Sequence, residues 1–355
     1  MKTLNIILLI FSILAIVAVL MPLIRKDLWV YRIFDYPRLQ KIVIIGFLLV
    51  VWISLYRDSE SWLELIIVGM LLLSFIFLSY QIMPFSPFGT KMIKKSKNED
   101  GRETLDVLVS NVYQYNKNYE KLLSVISSRN PDVILLLETD EKWSKGVKEL
   151  DAEYPNSIKI PKDNTYGLLF FSKLKVLNQE VNYLIDDEIP SIIVDIEFDN
   201  TSVRIYGLHP TPPVPQESKH STDRDAEILM IGKKAKKHQG PCMVIGDLND
   251  VAWSYTTNLF LKTSGLLDPR HGRGLYSTFH AKYKLLRWPL DHFFVSDDFH
   301  LVDMKVEKYI NSDHFPISIS LVLTEKNDAN PEHSDSEDEE LASEKIQAGL
   351  ENDPR

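Results

Sequence analysis

Three long apolar runs dominate the amino-terminal part of the chain. The first covers residues 4–24 without a charged residue, and the third covers residues 65–83. Each is long enough to cross the hydrocarbon core of a bilayer as a helix. The second run, residues 42–56, is shorter and reaches spanning length when residues 39–41 are added. We therefore predict that residues 1–84 form a membrane anchor of three transmembrane helices.

Lysine and arginine residues predict how this anchor is oriented. They cluster after the first and the third run, at Arg25, Lys26, Arg32, Arg38 and Lys41 and at Lys91, Lys94, Lys95 and Lys97. The positive-inside rule then places the first loop and everything after the third helix in the cytoplasm. An extracytoplasmic orientation is the alternative if the second run does not span. A signal peptide is disfavoured, since the first run is long and no small-residue cleavage site follows it.

The hydrophobic spacing changes after a predicted linker at residues 85–102. Residues 104–111 alternate between apolar and polar positions as a strand does, and residues 132–138 form the continuous apolar run of a buried strand. Further strands are predicted at 166–172, 191–198, 203–208, 242–245, 290–296, 302–309 and 315–323, and helices at 116–128, from Asp140, at 223–238 and at 256–263. This pattern predicts one α+β domain over residues 103–324.

Net charge and cysteine content exclude only a few kinds of site. The formal net charge of the 355-residue chain is -9, and residues 325–355 carry -8 of it, so the remainder is nearly neutral. The acidic, polar composition of residues 325–355 predicts a disordered tail. The single cysteine, Cys242, lies in an apolar run and excludes both an intramolecular disulfide and a cysteine-based zinc site.

Polar side chains recur just beyond the ends of the predicted strands. They are Asn111, Glu138, His209, Asp247, Asn249, Asp313 and His314. Strand ends are positions where a rigid scaffold presents chemistry. Glu138 follows five apolar residues, where an unpaired carboxylate is costly unless a cation or a donor satisfies it. Because Mg2+ prefers carboxylate oxygens, Glu138 is a candidate metal ligand.

Two short motifs carry the sharpest signal. In Gly246-Asp247-Leu248-Asn249, an extended backbone would place Asp247 and Asn249 on one face of the strand. There the carboxylate can accept a hydrogen bond from a water, and the amide can donate one to a phosphate oxygen. An Asx turn that leads out of the strand is the alternative. In Ser312-Asp313-His314, the imidazole is suited to acid–base work, and Asp291 comes from a strand that could present it to that imidazole.

Taken in order, these motifs resemble the endonuclease/exonuclease/phosphatase superfamily over residues 104–323. The resemblance implies a four-layer α/β/β/α sandwich of the DNase I type that hydrolyses phosphoesters with Mg2+, with Mn2+ or Ca2+ as alternatives. Carried over residue by residue, the resemblance assigns Asn111, Glu138 and Asp313 to the metal site. It implies that His209 contacts the phosphate and that Asp247 and Asn249 bind the attacking water and the phosphoryl group. Asp291 would orient the imidazole of His314. Tyr113 and His209 depart from the exonuclease III branch and favour the branch of DNase I and the sphingomyelinases.

The chain looks most similar to bacterial membrane-anchored members, which implies an integral protein of the bacterial inner membrane. We expect in-line attack of an activated water on a phosphoester, with either Asp247 or the His314–Asp291 pair as general base. A nucleic-acid substrate is supported by basic residues in the 268–291 segment, of which Arg273 and Arg287 are candidate contacts. The anchor favours the alternative, a lipid head-group phosphodiesterase or phosphatase. A non-catalytic membrane scaffold is a third hypothesis, and no protein partner is identifiable.

Overall fold

The computed structural model describes residues 3–55, 61–96, 103–324 and 331–351. Its amino-terminal part contains α1 (Thr3–Leu20), the short α2 (Trp29–Arg32), α3 (Arg38–Leu55) and α4 (Trp62–Ile82), of which α1, α3 and α4 form a helical bundle. Ile45 and Leu71 are buried in the core that α1, α3 and α4 share, whereas Phe47 and Leu73 are exposed. Three segments, Thr3–Leu23, Arg38–Leu55 and Trp62–Phe85, are long and apolar enough to cross a membrane.

The first residues of α3 explain why its apolar run is short. The helix begins at Arg38, so Lys41 lies in its first turns. The Lys41 ammonium group is buried and donates hydrogen bonds to the carbonyl oxygens of Ala18 and Phe34, at 3.0 and 2.8 Å. The lysine therefore ties α3 to the end of α1 and does not extend outward.

Residues 103–324 contain two mixed sheets. The first has the strand order β10-β11-β1-β2-β4-β3 and comprises β1 (Leu105–Asn111), β2 (Val133–Leu137), β3 (Asn156–Ile160), β4 (Leu168–Ser172), β10 (Phe299–Val306) and β11 (Ile317–Leu323). The second has the order β5-β6-β7-β8-β9 and comprises β5 (Val176–Asn182), β6 (Ser191–Phe198), β7 (Thr201–Leu208), β8 (Cys242–Asp247) and β9 (Asp291–Val295). Two of the pairs are parallel, β1 with β2 and β7 with β8.

Helices cover the outer face of each sheet. Alternation along β1 sends Val107 and Val109 into the core between the sheets and Leu108 to the opposite face. On that face lie α5 (Tyr119–Arg129) and α6 (Glu141–Gly146), and α7 (Thr222–Lys237) with α8 (Tyr255–Ser264) covers the second sheet. The predicted α+β four-layer sandwich is therefore confirmed.

The parallel pairs determine which residues meet at one edge. Asn111 lies opposite Leu137, so Glu138 leaves β2 beside it. In the second sheet Leu208 lies opposite Gly246, which brings His209 and Asp247 out of neighbouring strands. Asp247 in turn pairs with Asp291 across the antiparallel partner β9. Five of the predicted site residues thus leave the strands of two packed sheets at the same edge.

The prediction of a disordered acidic tail is wrong for its described part. Residues 336–351 form α9 (Ser336–Glu351), which packs on α7. Apolar side chains recur at helical spacing among the acids, and Ala342 is buried while Leu341 and Ile346 pack beside it. Lys236 and Lys262 form ion pairs with acids of α9, which offsets the helix's own charge. Residues 325–330 and 352–355 lie outside the described residues.

The predicted linker also packs on the domain where it is described. Phe85 lies in an apolar cluster with Trp253, and Ile93 is buried in the core between the sheets. Gly272 donates its backbone N–H to the carbonyl of Pro84 at 2.7 Å. Residues 97–102 of this segment are outside the described residues.

The segment between α1 and α3, residues 24–37, lies directly on the sandwich. Trp29 donates its backbone N–H to the carbonyl of Lys219, and Ser221 donates to that of Asp27, at 2.8 and 2.7 Å. The indole of Trp253 donates to the carbonyl of Asp35 at 2.8 Å. We call residues 24–37 the first loop. No pattern in the sequence predicted this contact.

Candidate active site

A cavity of about 700 Å3 opens at the edge where the strands end. Six of the predicted site residues line it: Glu138, His209, Asp247, Asn249, Asp313 and His314. Asn111 and Asp291 are buried and hydrogen-bonded to members of this group. Eight of the ten predicted residues therefore come together, and we call them the polar cluster.

Asn111 connects the two sheets within the polar cluster. Its amide nitrogen donates to Glu138 Oε1 at 2.8 Å and to Asp247 Oδ2 at 3.0 Å. Its amide oxygen accepts the backbone N–H of Tyr113 at 3.0 Å. One side chain thus aligns a carboxylate from each sheet, and the turn at Tyr113 holds the amide in the orientation that does so.

His314 lies between two carboxylates. Its Nδ1 is 2.8 Å from Asp291 Oδ2, and its Nε2 is 3.4 Å from Asp247 Oδ2. Burial by itself would lower the pKa of His314, but the carboxylates of Asp291 and Asp247 raise this pKa to about 10. At neutral pH the imidazole is therefore protonated, and both of its nitrogens are donors.

His209 has the opposite protonation state. Burial lowers its pKa to about 4, which outweighs the attraction of Asp247. The distance from His209 Nε2 to Asp247 Oδ2 is 3.9 Å, too long for a hydrogen bond. Its buried Nδ1 has no partner within the described part of the chain. A neutral imidazole beside a protonated one gives the cavity two different kinds of histidine.

Glu138 and Asp313 present further carboxylates to the cavity. Burial raises the pKa of Glu138 to about 7, the hydrogen bond from Asn111 opposes this, and the negative charge of Asp313 adds to it. A nearby cation stabilises the charged form of such a carboxylate, and carboxylate oxygens are suitable ligands for a hard divalent ion. Asp247, Asp291 and His314 also offer ligand atoms within 4.8 Å of one another. This group could hold a metal ion only with a neutral His314, because a protonated imidazole has no free lone pair for a metal.

The backbone is strained at two members of the polar cluster. Glu138 and Asn249 have φ angles of +59° and +50°, in the left-handed region that residues other than glycine rarely adopt. Asn249 donates its backbone N–H to Asp247 Oδ1 at 3.0 Å, which is an Asx turn. The extended backbone predicted for residues 247–249 is therefore wrong, because the chain turns at the end of β8. Both side chains still line the cavity.

Two residues that sequence reasoning missed hold this turn. The carbonyl oxygen of Asn249 accepts hydrogen bonds from the Tyr36 hydroxyl and from Arg224 Nη1, each at 2.8 Å. Arg224 is buried and also pairs with Asp225 and Asp250. The sequence did indicate a partner for Arg224. A basic residue in the first turn of a helix is unfavourable beside the helix dipole, so a tertiary contact is expected to compensate it. Tyr36 had no such signal.

The structure does not place Arg273 and Arg287 in the cavity. Arg273 donates to the carbonyl oxygens of Pro269 and Ile93. Arg287 donates to the carbonyl of Ala281 at 2.8 Å, with its guanidinium 4.7 Å from the ring centre of Phe315. Both arginines therefore hold loop backbone in place, and neither is available to a substrate in the cavity.

Comparison with known proteins identifies a family and a shared fold. The model of the Endonuclease/Exonuclease/phosphatase family matches residues 108–314. No curated protein matches the chain. A solved endonuclease/exonuclease/phosphatase from Beutenbergia cavernae shares 17% identity at a TM-score of 0.54, over 65% of this chain and 74% of that one.

Two further solved structures share the fold at similar distance. D. rerio TDP2 complexed with single strand DNA product has 16% identity and a TM-score of 0.53, over 62% of this chain and 99% of that one. An endonuclease/exonuclease/phosphatase family protein from Bacteroides thetaiotaomicron has 18% identity and a TM-score of 0.52, over 63% and 99%. The family model covers more than half of the chain, and the chain therefore belongs to the Endonuclease/Exonuclease/phosphatase family.

Proposed function

We propose that this protein is a metal-dependent phosphoesterase that three helices anchor in a membrane. The observation that carries the proposal is the polar cluster, in which Asp291, His314 and Asp247 are aligned in one buried chain of contacts. Membership of a family of hydrolases that act on phosphoesters supports it. A non-catalytic scaffold would not need an unpartnered buried histidine and several carboxylates facing one cavity.

Glu138 and Asp313 would hold the metal ion, and Asn111 would align Glu138 for it. Mg2+ fits this oxygen donor set, and Mn2+ or Ca2+ would be accepted by the same ligands. When bound, the ion would polarise a phosphoryl oxygen and offset the charge that develops in the reaction. Burial raises the pKa of Glu138 to about 7, and a divalent ion bound to this carboxylate would offset the cost of charging it.

The remaining residues would move protons and hold the phosphoryl group. Asp247 is the proposed general base, because burial raises its pKa although His314 opposes this, and a raised pKa makes a carboxylate a stronger proton acceptor. His314 is protonated and so acts as a donor, which argues against it as the base. Asp291 keeps its imidazole oriented.

The reaction is the in-line attack of water on phosphorus. Water transfers a proton to Asp247 as its oxygen bonds to phosphorus, the ester P–O bond breaks, and the leaving oxygen receives a proton from His314. His209, which is neutral, would donate its N–H to a phosphoryl oxygen, and Asn249 would donate from its side-chain amide. The substrate is thereby split into an alcohol and a phosphate or phosphomonoester.

Hydrolysis of bis(p-nitrophenyl) phosphate by the full chain in detergent tests the proposal. We expect activity with Mg2+ that EDTA abolishes, and a loss of about 100-fold or more in Glu138→Gln and in His314→Gln. Glu180→Gln and His220→Gln are matched controls, because both residues are exposed and lie outside the cavity. Full activity of Glu138→Gln, or of the wild type in EDTA, would overturn the proposal.

We also propose the bacterial inner membrane as the location, with the sandwich on the cytoplasmic side. Lys and Arg residues after the first and third apolar helices support this orientation. A reporter fused to the carboxyl terminus that is active only in the cytoplasm is the test. Activity of a periplasmic reporter instead would reverse the orientation.

A further inference from the structure

The cavity has one polar side and three apolar sides. Beyond the polar cluster, its walls come from the first loop, from the proline-rich segment after β7 and from the segment before β9. The apolar lining includes Ile33 and Tyr36 from the first loop, Pro213 from the proline-rich segment, and Phe279, Leu286 and Leu290 from the segment before β9. A volume of about 700 Å3 is in the range that encloses a whole small ligand. The cavity therefore offers far more apolar surface than hydrolysis of a phosphoester requires.

The charges around the cavity are unfavourable for a polyanion. No lysine or arginine is among its lining residues, all of which lie within the described ranges, whereas Glu138, Glu217, Asp247 and Asp313 are. Proteins bind nucleic-acid backbones by neutralising successive phosphates with Lys and Arg side chains. Arg273 and Arg287, the basic candidates, are bound to loop carbonyls instead. A single phosphoester with an apolar substituent fits this lining better than a nucleic acid.

The first loop is held firmly at the cavity. The Tyr36 hydroxyl donates to the carbonyl of Asn249, and its ring meets that of Trp288 edge to face at 5.6 Å. One residue after Pro37 the chain enters α3, the second of the three apolar helices. At the rim, Ile33 and Leu286 are 52% and 47% exposed although both are large and apolar. An apolar rim beside apolar helices is suited to a ligand that arrives from a bilayer.

We propose that the first loop is part of the substrate site and that the cavity binds the apolar portion of an amphiphilic phosphoester, a membrane lipid with its phosphate at the polar cluster. This inference rests on the proposed phosphoesterase function. The head-group phosphoester lies at Asp247 and His314, and the hydrocarbon portion lies against the first loop and the Phe279–Leu290 wall. The membrane anchor then supplies part of the substrate specificity as well as the attachment.

The test compares two phosphodiesters that differ only in their apolar part. The full chain in detergent is given methyl p-nitrophenyl phosphate and dodecyl p-nitrophenyl phosphate, each with Mg2+. We expect kcat/KM to be at least about tenfold higher for the dodecyl ester. The double variant Ile33→Ser/Leu286→Ser should lose about tenfold more of its kcat/KM on the dodecyl ester than on the methyl ester. Both side chains are half exposed, so the variant is expected to fold.

A matched control separates this effect from partition of the ester into micelles. Leu177→Ser removes a leucine of 46% exposure on β5, away from the cavity, and should behave as the wild type does on both esters. Equal kcat/KM for both esters in the wild type, or equal losses in the double variant, would overturn the inference and leave the phosphoesterase function intact. Failure of the wild type on both esters would overturn that function itself. A single-stranded oligonucleotide hydrolysed faster than the dodecyl ester would show a nuclease instead.

Discussion

Gly246 is the penultimate residue of β8, directly before Asp247, and few other residues can adopt its backbone conformation. Its φ angle is +144°, and a Cβ atom there would lie 2.0 Å from the carbonyl oxygen of Leu208. That oxygen belongs to the backbone of β7 and has no side-chain rotation by which to move away. An ordinary contact begins at 3.4 Å, so Gly246→Ala would require β7 and β8 to move apart by about 1.4 Å at this point.

Two effects of this substitution follow from the geometry. Left-handed strain and overpacking each cost about 1–3 kcal/mol, so the free energy of unfolding should fall by about 2–6 kcal/mol. A shift of about 1 Å at Asp247 should lower the hydrolysis rate about 100-fold, because Asp247 loses its alignment with His314 and Asn111. Steady-state hydrolysis of bis(p-nitrophenyl) phosphate and thermal unfolding of the full chain in detergent measure the two effects.

Gly265→Ala is the matched control for Gly246→Ala. Gly265 follows α8 with a φ of +71°, but no atom lies within 4 Å of the position that its Cβ would occupy. The substitution should therefore cost about 1 kcal/mol in stability and leave the rate as it is. If Gly246→Ala behaves as Gly265→Ala does, close strand contact does not determine the position of Asp247.

Three further predictions concern single side chains. Asp291→Asn removes the carboxylate that orients His314, and should lower kcat about 100-fold with little change in KM. A rise in KM as large as the fall in kcat would contradict an orienting role. Tyr36→Phe removes one of two donors to the Asn249 carbonyl and should lower kcat about threefold to tenfold, whereas an unchanged kcat would show that Arg224 alone holds the turn. Burial raises the pKa of Glu227 from its ordinary 4.5 to about 8, so the folded chain keeps a proton that the unfolded chain releases above pH 4.5. Stability is thus lost as pH rises from about 4.5 to about 8, by up to about 1.4 kcal/mol per pH unit. Glu227→Gln should raise Tm more at pH 8 than at pH 5, and a gain that is independent of pH would contradict this.

The strands that carry the site were predictable because their apolar runs end abruptly in polar residues. β2, for example, has five buried apolar residues before Glu138. β3 and β5 were not predicted, because they lie at sheet edges and expose much of their surface, so their sequences lack a continuous apolar face. Periodicity detects burial, and an edge strand with polar residues on both faces does not show it.

The polar cluster was predictable from the order of its motifs, whereas its surroundings were not. The contact between Tyr36 and Asn249 spans 213 positions along the chain, and nothing local at either residue indicates the other. For the same reason α9 was predicted as disordered, since its acids are compensated by lysines of α7 and α8 that lie about 75 to 105 positions away. The protonation states of His209 and His314 also depend on neighbours that only the fold supplies.

The contact of the first loop with the sandwich restricts how the three apolar helices can cross a membrane. The first loop lies between α1 and α3, and the sandwich follows α4. Hydrogen bonds from Trp29 to Lys219 and from Tyr36 to Asn249 require both parts to be on one side. Either α3 and α4 both cross, or neither does, since a crossing by only one of them would separate the first loop from the sandwich.

Cysteine labelling in intact cells tests this parity. Lys26→Cys in the first loop and Lys308→Cys in the sandwich replace exposed residues, and the native Cys242 is buried. A membrane-impermeant maleimide should reach both introduced cysteines from the same side. Labelling of positions 26 and 308 from opposite sides would exclude the hydrogen bond between the Tyr36 hydroxyl and the Asn249 carbonyl. The apolar wall of the cavity, and with it the lipid specificity, would then have no structural basis.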